Sequence, residues 1–150
     1  MNVRNPLFSR IELSAGSGDS DDDGRLEVHE MLDMSIVNPL VFLSGCETGV
    51  GTAWSTDFAH GEDYATLGLA FLYAGAQNVV ATLWAVEDEG AAVFAESFYR
   101  FLADHPPAEA LARAQREMMM HERYGAPYYW AAYQIAGSSV DRSTAQISGR

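Results

Sequence analysis

Residues 40–51 have the sequence L-V-F-L-S-G-C-E-T-G-V-G, a short apolar run followed by a turn of small residues. A continuous apolar run of this length is typical of a strand that is buried on both faces of a sheet. Such strands belong to α/β proteins, in which ligand-binding and catalytic groups gather at the carboxyl ends of the parallel strands. The single cysteine of the chain, Cys46, lies in this turn. The stretch therefore predicts an α/β fold and a candidate site at one strand end.

Strand and helix patterns alternate on both sides of this stretch. We predict strands over residues 7–13, 40–43, 79–86 and 128–136, and helices over residues 26–34, 61–74, 88–105 and 108–122. Glu87, Asp88 and Glu89 favour a helix N-terminus, and Gly75 suits the position that follows a helix. Together these elements predict one α/β sandwich around a mostly parallel sheet over residues 1–137, followed by a polar tail over 138–150.

The composition argues against two classes of partner. The 150 residues include 21 Asp+Glu and only 9 Lys+Arg, for a formal net charge of −12. Nucleic-acid binding and binding to an anionic membrane surface both depend on an excess of Lys and Arg, so we expect neither. One cysteine excludes an internal disulfide and a Cys-cluster zinc site. This cysteine usage fits a reducing compartment, and we expect a cytoplasmic location.

One uncharged stretch, residues 65–86, is long enough to span a bilayer. Gly75 and the pair Gln77-Asn78 interrupt it, and its second half is rich in β-forming residues. A buried helix, a turn and a buried strand fit this pattern better than a membrane span. The N-terminal residues contain no apolar run typical of a signal peptide. We therefore expect a soluble protein with no membrane contact.

The residues around Cys46 leave two interpretations open. The neighbouring glycines allow close approach of a substrate, and their backbone N–H groups are suited to bind an oxyanion. A thiol in such a turn is a nucleophile if a histidine lies close enough to deprotonate it. The alternative is a buried cysteine that packs as a small apolar residue.

Four ordered motifs resemble the CHAT family of caspase-like domains, which often occur in bacteria beside tetratricopeptide repeats. The motifs occupy residues 40–51, 61–76 (G-E-D-Y-A-T-L-G-L-A-F-L-Y-A-G-A), 79–88 (V-V-A-T-L-W-A-V-E-D) and 127–133 (P-Y-Y-W-A-A-Y). The resemblance implies a caspase–haemoglobinase-like three-layer sandwich and cysteine endopeptidase activity on a protein or peptide substrate. It also implies a tetratricopeptide-repeat segment or a regulatory protein as a partner. Cys46 takes the position of the family's nucleophile, with Gly45 in place of the usual alanine.

The family's catalytic histidine lies in a His-Gly motif upstream of the segment that matches residues 5–9. The resemblance therefore implies that the general base and the first strands of the sheet lie upstream of residue 1. We expect this chain to be the C-terminal part of a CHAT domain, with negligible activity alone. His60-Gly61 repeats the dipeptide, but it follows Cys46 and precedes a helix. We interpret it, together with His29, His105 and His121, as non-catalytic.

Glu87 and Asp88 match the family's L-W-P-V-D-D motif, with Glu87 replacing the first aspartate and Ala85 replacing the proline. They follow a strand in the region where caspase-like enzymes form substrate pockets, so a basic side chain at substrate position P1 would pair with them. The alternative is that their charge only stabilises the helix N-terminus. Thiol chemistry needs no metal or organic cofactor, and we expect none.

The sequence leaves two alternatives to peptidase activity. The first is a non-catalytic caspase-like interaction or regulatory module that keeps the fold without the catalytic pair. The second is a generic nucleotide-binding α/β domain, which is disfavoured because no G-x-G-x-x-G or P-loop pattern follows a strand.

An acidic segment near the N-terminus matches a calcium-loop pattern. Asp19, Asp21, Asp23, Gly24 and Glu30 fit D-x-D-x-D-G-x₅-E. The residues before this segment have the pattern of a strand and a Gly/Ser loop rather than an entering helix. A solvated acidic turn is therefore the preferred interpretation, and calcium binding stays open.

Overall fold

The fold was analysed in a computed structural model, which describes residues 10–14, 23–43 and 62–138, with the backbone alone for 62–66. The elements in these ranges follow in the order β1 (Arg10–Glu12), β2 (Arg25–Glu27), α1 (Val28–Met31), β3 (Leu40–Leu43), α2 (Glu62–Tyr73), β4 (Asn78–Thr82), α3 (Asp88–Leu102), α4 (Pro107–Met119), α5 (Pro127–Trp130) and β5 (Tyr133–Gly137).

The strands β3, β4 and β5 form a mixed sheet in that spatial order. β3 and β4 are parallel, with Leu43 opposite Ala81, whereas β5 is antiparallel to β4, with Tyr133 opposite Thr82. The prediction of an α/β fold is confirmed, but of the two strand pairs that the described residues form in this sheet only one is parallel. The reason is that α3 and α4 form a pair that carries the chain away from the carboxyl edge of β4 and back again. β5 therefore starts at that edge and runs in the opposite direction.

Helices pack on both faces of this sheet because strand side chains alternate between the faces. On one face, Phe42, Val80 and Tyr133 join the buried residues of α3 and α4. On the other face, Leu43 and Val79 join the buried residues of α1 and α2. None of the helices in the described ranges combines the length and apolar character required to cross a membrane.

The predicted helices around the sheet are confirmed, with small differences at their ends. α3 begins at Asp88 with acidic residues in its first turn and buries Phe94 and Phe98. Pro107 occupies the start of α4, where its missing N–H group costs nothing. Gly75 follows α2 with φ of 115°, and a Cβ at this position would lie 2.7 Å from the Ile36 carbonyl oxygen. Only glycine fits both conditions.

The N-terminal elements differ from the prediction. β1 and β2 pair in antiparallel fashion, with Ile11 opposite Leu26, so the helix predicted from residue 26 begins only at Val28. Leu26 is held in the strand by this cross-strand pairing. Glu27 and Glu30 then form a capping box at the start of α1.

The predicted strand over residues 128–136 was also wrong in its first half. Residues 127–130 form the short helix α5, and the strand begins only at Tyr133. Pro127 favours this helical turn, and the side chains of Tyr128 and Tyr129 turn towards the segment after β4. Of the predicted polar tail, residues 139–150 lie outside the described ranges.

Candidate functional site

The candidate site lies at the carboxyl edge of the two parallel strands. Because Leu43 is opposite Ala81, the carboxyl ends of β3 and β4 lie at the same edge of the sheet. Neighbouring strands are about 4.8 Å apart. Cys46 follows Leu43 by three positions and lies outside the described residues, as does His60. Glu87 and Asp88 follow β4 and are both described.

Hydrogen bonds to α5 fix the segment between β4 and α3. The Trp84 Nε1–H group donates to the Tyr128 carbonyl oxygen at 2.9 Å, and the Tyr128 hydroxyl donates to the Ala85 carbonyl oxygen at 2.8 Å. The Leu83 N–H group also donates to the Ala132 carbonyl oxygen at 2.9 Å. The Leu83 bond continues the pairing of β4 with β5 by one residue, and the two bonds to Tyr128 then tie the chain to α5. The strand predicted over residues 79–86 therefore ends four residues early, at Thr82.

The carboxylates at the start of α3 have different partners. The Tyr129 hydroxyl donates to a Glu87 carboxylate oxygen at 3.1 Å, and the Tyr124 hydroxyl donates to Glu89 at 2.9 Å. Glu89 also forms an ion pair with the Arg123 guanidinium, with a nitrogen–oxygen distance of 2.9 Å. Glu87, Asp88 and Glu89 are all exposed. Glu87 is therefore held by a neutral donor, whereas the charge of Glu89 is paired with a cation.

The two tyrosines respond to these carboxylates. The hydrogen bond to Glu87, followed by burial, raises the pKa of the Tyr129 phenol. Burial is the main cause that raises the pKa of Tyr124, and the hydrogen bond to Glu89 adds to it. Both phenols therefore stay protonated and remain donors across the neutral pH range.

Gly90 allows this contact between α5 and the first turn of α3. A Cβ at Gly90 would lie 2.5 Å from Cδ1 and 2.8 Å from Cε1 of Tyr129. The ring of Tyr129 therefore occupies the space that any other side chain at residue 90 would need. A glycine in the first turn of a helix is the sequence signal for this close approach.

The three histidines in the described ranges have local partners. His29 Nδ1 lies 3.2 Å from a Glu27 oxygen, and His105 Nδ1 lies 3.4 Å from a Glu109 oxygen. His121 Nδ1 accepts the backbone N–H groups of Arg123 and Tyr124. His105 follows the end of α3 that is opposite to Glu87, and a 15-residue helix is about 22 Å long. The interpretation of all three as non-catalytic stays a prediction.

The calcium-loop pattern falls only partly within the described ranges. Asp19 and Asp21 lie outside them, whereas Asp23 accepts the Arg25 backbone N–H group at 3.0 Å. A Glu30 carboxylate oxygen accepts the Glu27 N–H group at 2.7 Å, as part of the capping box. Among the residues that the structure describes, no group of three or more His, Cys, Asp or Glu side chains is arranged to hold a metal ion.

Tyr124 and Tyr129 were not predicted from the sequence as site residues. Both lie in the aromatic segment around residues 124–130, part of which was interpreted as a strand. The available signals were Pro127, which favours a helical turn, and Gly90, which indicates a close approach.

Comparison with known proteins identifies one family. The family model described as CHAT domain matches residues 1–138. Tetratricopeptide repeat protein 28 of Mus musculus is 29% identical over 116 residues, which are 77% of this chain and 4% of that protein. Tetratricopeptide repeat protein 28 of Homo sapiens is 28% identical over 142 residues, which are 90% of this chain and 6% of that protein. No solved structure matches the chain.

The chain spans only a small fraction of the length of the relatives it matches. Both relatives are mammalian, so they do not bear on the association with bacteria that the family resemblance implies.

Proposed function

Since the chain belongs to the CHAT domain family, a group of caspase-like, peptidase-related domains, we propose that it is a cysteine endopeptidase domain with Cys46 as its nucleophile. Residues 1–137 are assigned to the C-terminal part of a caspase-like sandwich, and 138–150 to a polar tail. The domain acts in the cytoplasm on a protein or peptide.

The parallel pairing of β3 with β4 is the observation that supports this proposal. It brings the carboxyl ends of β3 and β4 to the same sheet edge. In the sequence, Cys46 follows the first of these ends by three positions, and Glu87 and Asp88 follow the second. A nucleophile and a substrate-binding group must both reach one peptide for hydrolysis. In α/β folds the carboxyl edge is where such groups converge.

The proposed reaction passes through a thioester. The Cys46 thiolate attacks the peptide carbonyl carbon, the backbone N–H of Cys46 stabilises the oxyanion, and the amine leaves with a proton from the general acid. Water then attacks the thioester and releases the acid product and the thiol. The base in this proposal is the His-Gly histidine that the family resemblance assigns upstream of residue 1. The chemistry requires no metal or organic cofactor.

Glu87 and Asp88 form the proposed substrate subsite. Their exposed carboxylates lie where the segment after β4 enters α3, and they would pair with a basic side chain at P1. The negative charge of the whole chain, −12, favours the approach of a cationic peptide.

One observation favours a second candidate function, a non-catalytic interaction module. All three histidines of the described ranges are engaged in local contacts, as in a domain that keeps the fold without the catalytic pair. The partner of such a module would be a tetratricopeptide-repeat segment or a regulatory protein. The names of the two relatives support association with such repeats.

Iodoacetamide labelling across pH distinguishes the two functions. The 150-residue chain is compared with a longer protein that includes the upstream His-Gly segment. In the longer protein we expect Cys46 to be alkylated well below pH 7, because a neighbouring imidazolium lowers a thiol pKa. In the short chain we expect alkylation only as the pH approaches about 8.5, the value for an ordinary thiol.

Cleavage of fluorogenic peptides completes this test. The longer protein should cleave peptides with a basic P1 residue and lose this activity in the Cys46→Ala variant, whereas His60→Ala should retain it. Identical labelling profiles for the two proteins, with no cleavage by either, would support the interaction module. Cleavage by the short chain that depends on His60 would contradict the assignment of the base.

A further inference from the structure

We propose that Tyr129 is a positioning residue for Glu87, and that their hydrogen bond sets the preference of the site for a cationic side chain. This inference rests on the proposed function, because it specifies how the substrate subsite is built. It concerns a residue that would contact Glu87 and not the substrate itself.

The hydrogen bond from Tyr129 to Glu87 engages one of the two carboxylate oxygens. The Tyr129 hydroxyl lies 3.1 Å from one oxygen of the Glu87 carboxylate. A carboxylate has two oxygens that accept hydrogen bonds. Occupation of one oxygen by Tyr129 restricts the rotation of the side chain and leaves the second oxygen for a guanidinium or ammonium group. The restriction reduces the entropy that Glu87 would lose when it binds a ligand.

Tyr129 is itself held in place. Its ring packs over Gly90, and it forms an edge-to-face contact with Tyr124 at a centroid distance of 5.0 Å. The neighbouring Tyr128 is fixed by its reciprocal hydrogen bonds with Trp84 and Ala85. The donor is therefore fixed by the packing of its own ring and by the hydrogen bonds of the neighbouring Tyr128.

The charge of their partners distinguishes Glu87 from Glu89. Tyr129 is a neutral donor, so Glu87 keeps its negative charge while its position is fixed. Glu89 is positioned in a similar way by Tyr124, but Arg123 neutralises it at 2.9 Å. The two glutamates therefore differ in their ability to attract a cation, and Glu87 is the one suited to recognition. The raised pKa of Tyr129 agrees with a phenol that donates to a charged carboxylate.

The test measures binding rather than cleavage. N-acetyl-arginine amide is titrated into the full 150-residue chain, and binding is followed by NMR. N-acetyl-citrulline amide, which has the same shape without the charge, serves as the reference ligand. We expect arginine to bind more tightly than citrulline. Tyr129→Phe should raise the Kd for arginine roughly threefold to tenfold. The affinity ratio, which is the Kd for citrulline divided by the Kd for arginine, should therefore fall.

Three further variants separate positioning from a structural effect. Glu87→Asp keeps the charge, shortens the side chain and should reduce the ratio even if Tyr129→Phe does not fold. In a Glu87→Gln background, Tyr129→Phe should change the ratio no further, because the pair acts as one unit. Tyr73→Phe, which removes an exposed hydroxyl from α2, is the matched control and should leave the ratio unchanged.

The inference is overturned if the wild-type chain shows no preference for arginine, or if a folded Tyr129→Phe variant leaves the preference intact. If Tyr129→Phe does not fold, an intact preference in Glu87→Asp overturns it. Binding does not require the Cys46 thiolate or its base. A charge preference without thiol reactivity would therefore support this inference and contradict the peptidase proposal. A reactive thiol without a preference for arginine would support the peptidase proposal and contradict this inference.

Discussion

The two faces of the three-stranded sheet are built from different kinds of side chain. The face covered by α3 and α4 is aromatic: Phe94 stacks on Tyr133 with a centroid distance of 3.7 Å, and Phe42 stacks on Phe98 at 5.1 Å. The opposite face, covered by α1 and α2, is largely aliphatic, and Phe71 is the one aromatic residue among its buried members within the described ranges. The aromatic face also carries α5, whose Tyr129 hydroxyl donates to the Glu87 carboxylate.

This difference shows how one sheet edge acquires a fixed group. Aromatic side chains combine a large apolar surface with a polar tip, so the same residues fill the core and donate hydrogen bonds at its rim. Tyr124 does both: it is buried in the aromatic face and its hydroxyl contacts Glu89. An aliphatic core has no such donors. We therefore expect the geometry of Glu87 to depend on the aromatic face and not on the opposite one.

The largest expected effect comes from removal of one ring on each face. Phe94→Ala should lower the free energy of unfolding by about 3–5 kcal/mol, because Phe94 is fully buried and its removal leaves a cavity beside Tyr133. Phe71→Ala, on the aliphatic face, is the matched variant. Phe71→Ala should lower the free energy of unfolding by about 1 kcal/mol less, because Phe94→Ala also removes the ring stacking between Phe94 and Tyr133. Urea denaturation monitored by circular dichroism measures both, and an equal or larger loss for Phe71→Ala would contradict the contrast.

A smaller effect is expected from two helical glycines on opposite faces. Gly90→Ala should destabilise the protein by about 1–3 kcal/mol, because the new methyl group would displace the Tyr129 ring. In Gly68→Ala, the methyl group would lie 3.9 Å from Val79 Cγ1, an ordinary contact. The higher helix propensity of alanine should therefore stabilise this variant by up to about 1 kcal/mol.

The sign of the change distinguishes the two glycines in the same urea experiment. Opposite signs support the close approach of α5 to α3. Stabilisation by both substitutions would show that Tyr129 does not occupy the space beside Gly90.

The smallest expected effect is a dependence on alkaline pH. The pKa values of Tyr124 and Tyr129 are raised in the folded protein, so their protonated forms contribute stability that is fully present below about pH 10, the ordinary phenol value. This contribution is lost as the pH rises through the folded-state pKa values. The urea midpoint of the wild type should therefore fall more steeply between pH 9 and pH 12, roughly the range of tyrosine ionisation, than that of Tyr124→Phe/Tyr129→Phe.

The control for this pH series is Tyr73→Phe/Tyr99→Phe, which removes two exposed hydroxyl groups. It should retain the wild-type slope. Equal slopes for all three proteins would mean that the hydrogen bonds to Glu87 and Glu89 contribute nothing to folding.

Most helices and strands of the sheet and its covering layers were predictable, because the sequence patterns that indicate them are local. The apolar runs of β3 and β4 and the spacing of Phe94 and Phe98 identify buried strands and an amphipathic helix without knowledge of the partner surface. The acidic residues before α3 predicted its start. The family also follows from short contiguous motifs. The candidate residues Cys46, Glu87 and Asp88 rest on the same motifs and stay predictions.

The contacts of the site were not predictable in the same way. Leu26 became part of a strand because it pairs with Ile11, and residues 127–130 became a helix whose tyrosines contact residues more than forty positions earlier. No local periodicity encodes which tyrosine meets which carboxylate.

The sequence by itself determined the α/β class, the order of the main helices and strands, and the chemical types of the candidate residues, because burial patterns repeat within each element. Only the tertiary structure decided that β5 is antiparallel and that Glu87 is held by a neutral phenol while Glu89 is paired with Arg123. The physical reason is that these features depend on groups distant in the chain, which meet only after α3 and α4 return it to the carboxyl edge of the sheet.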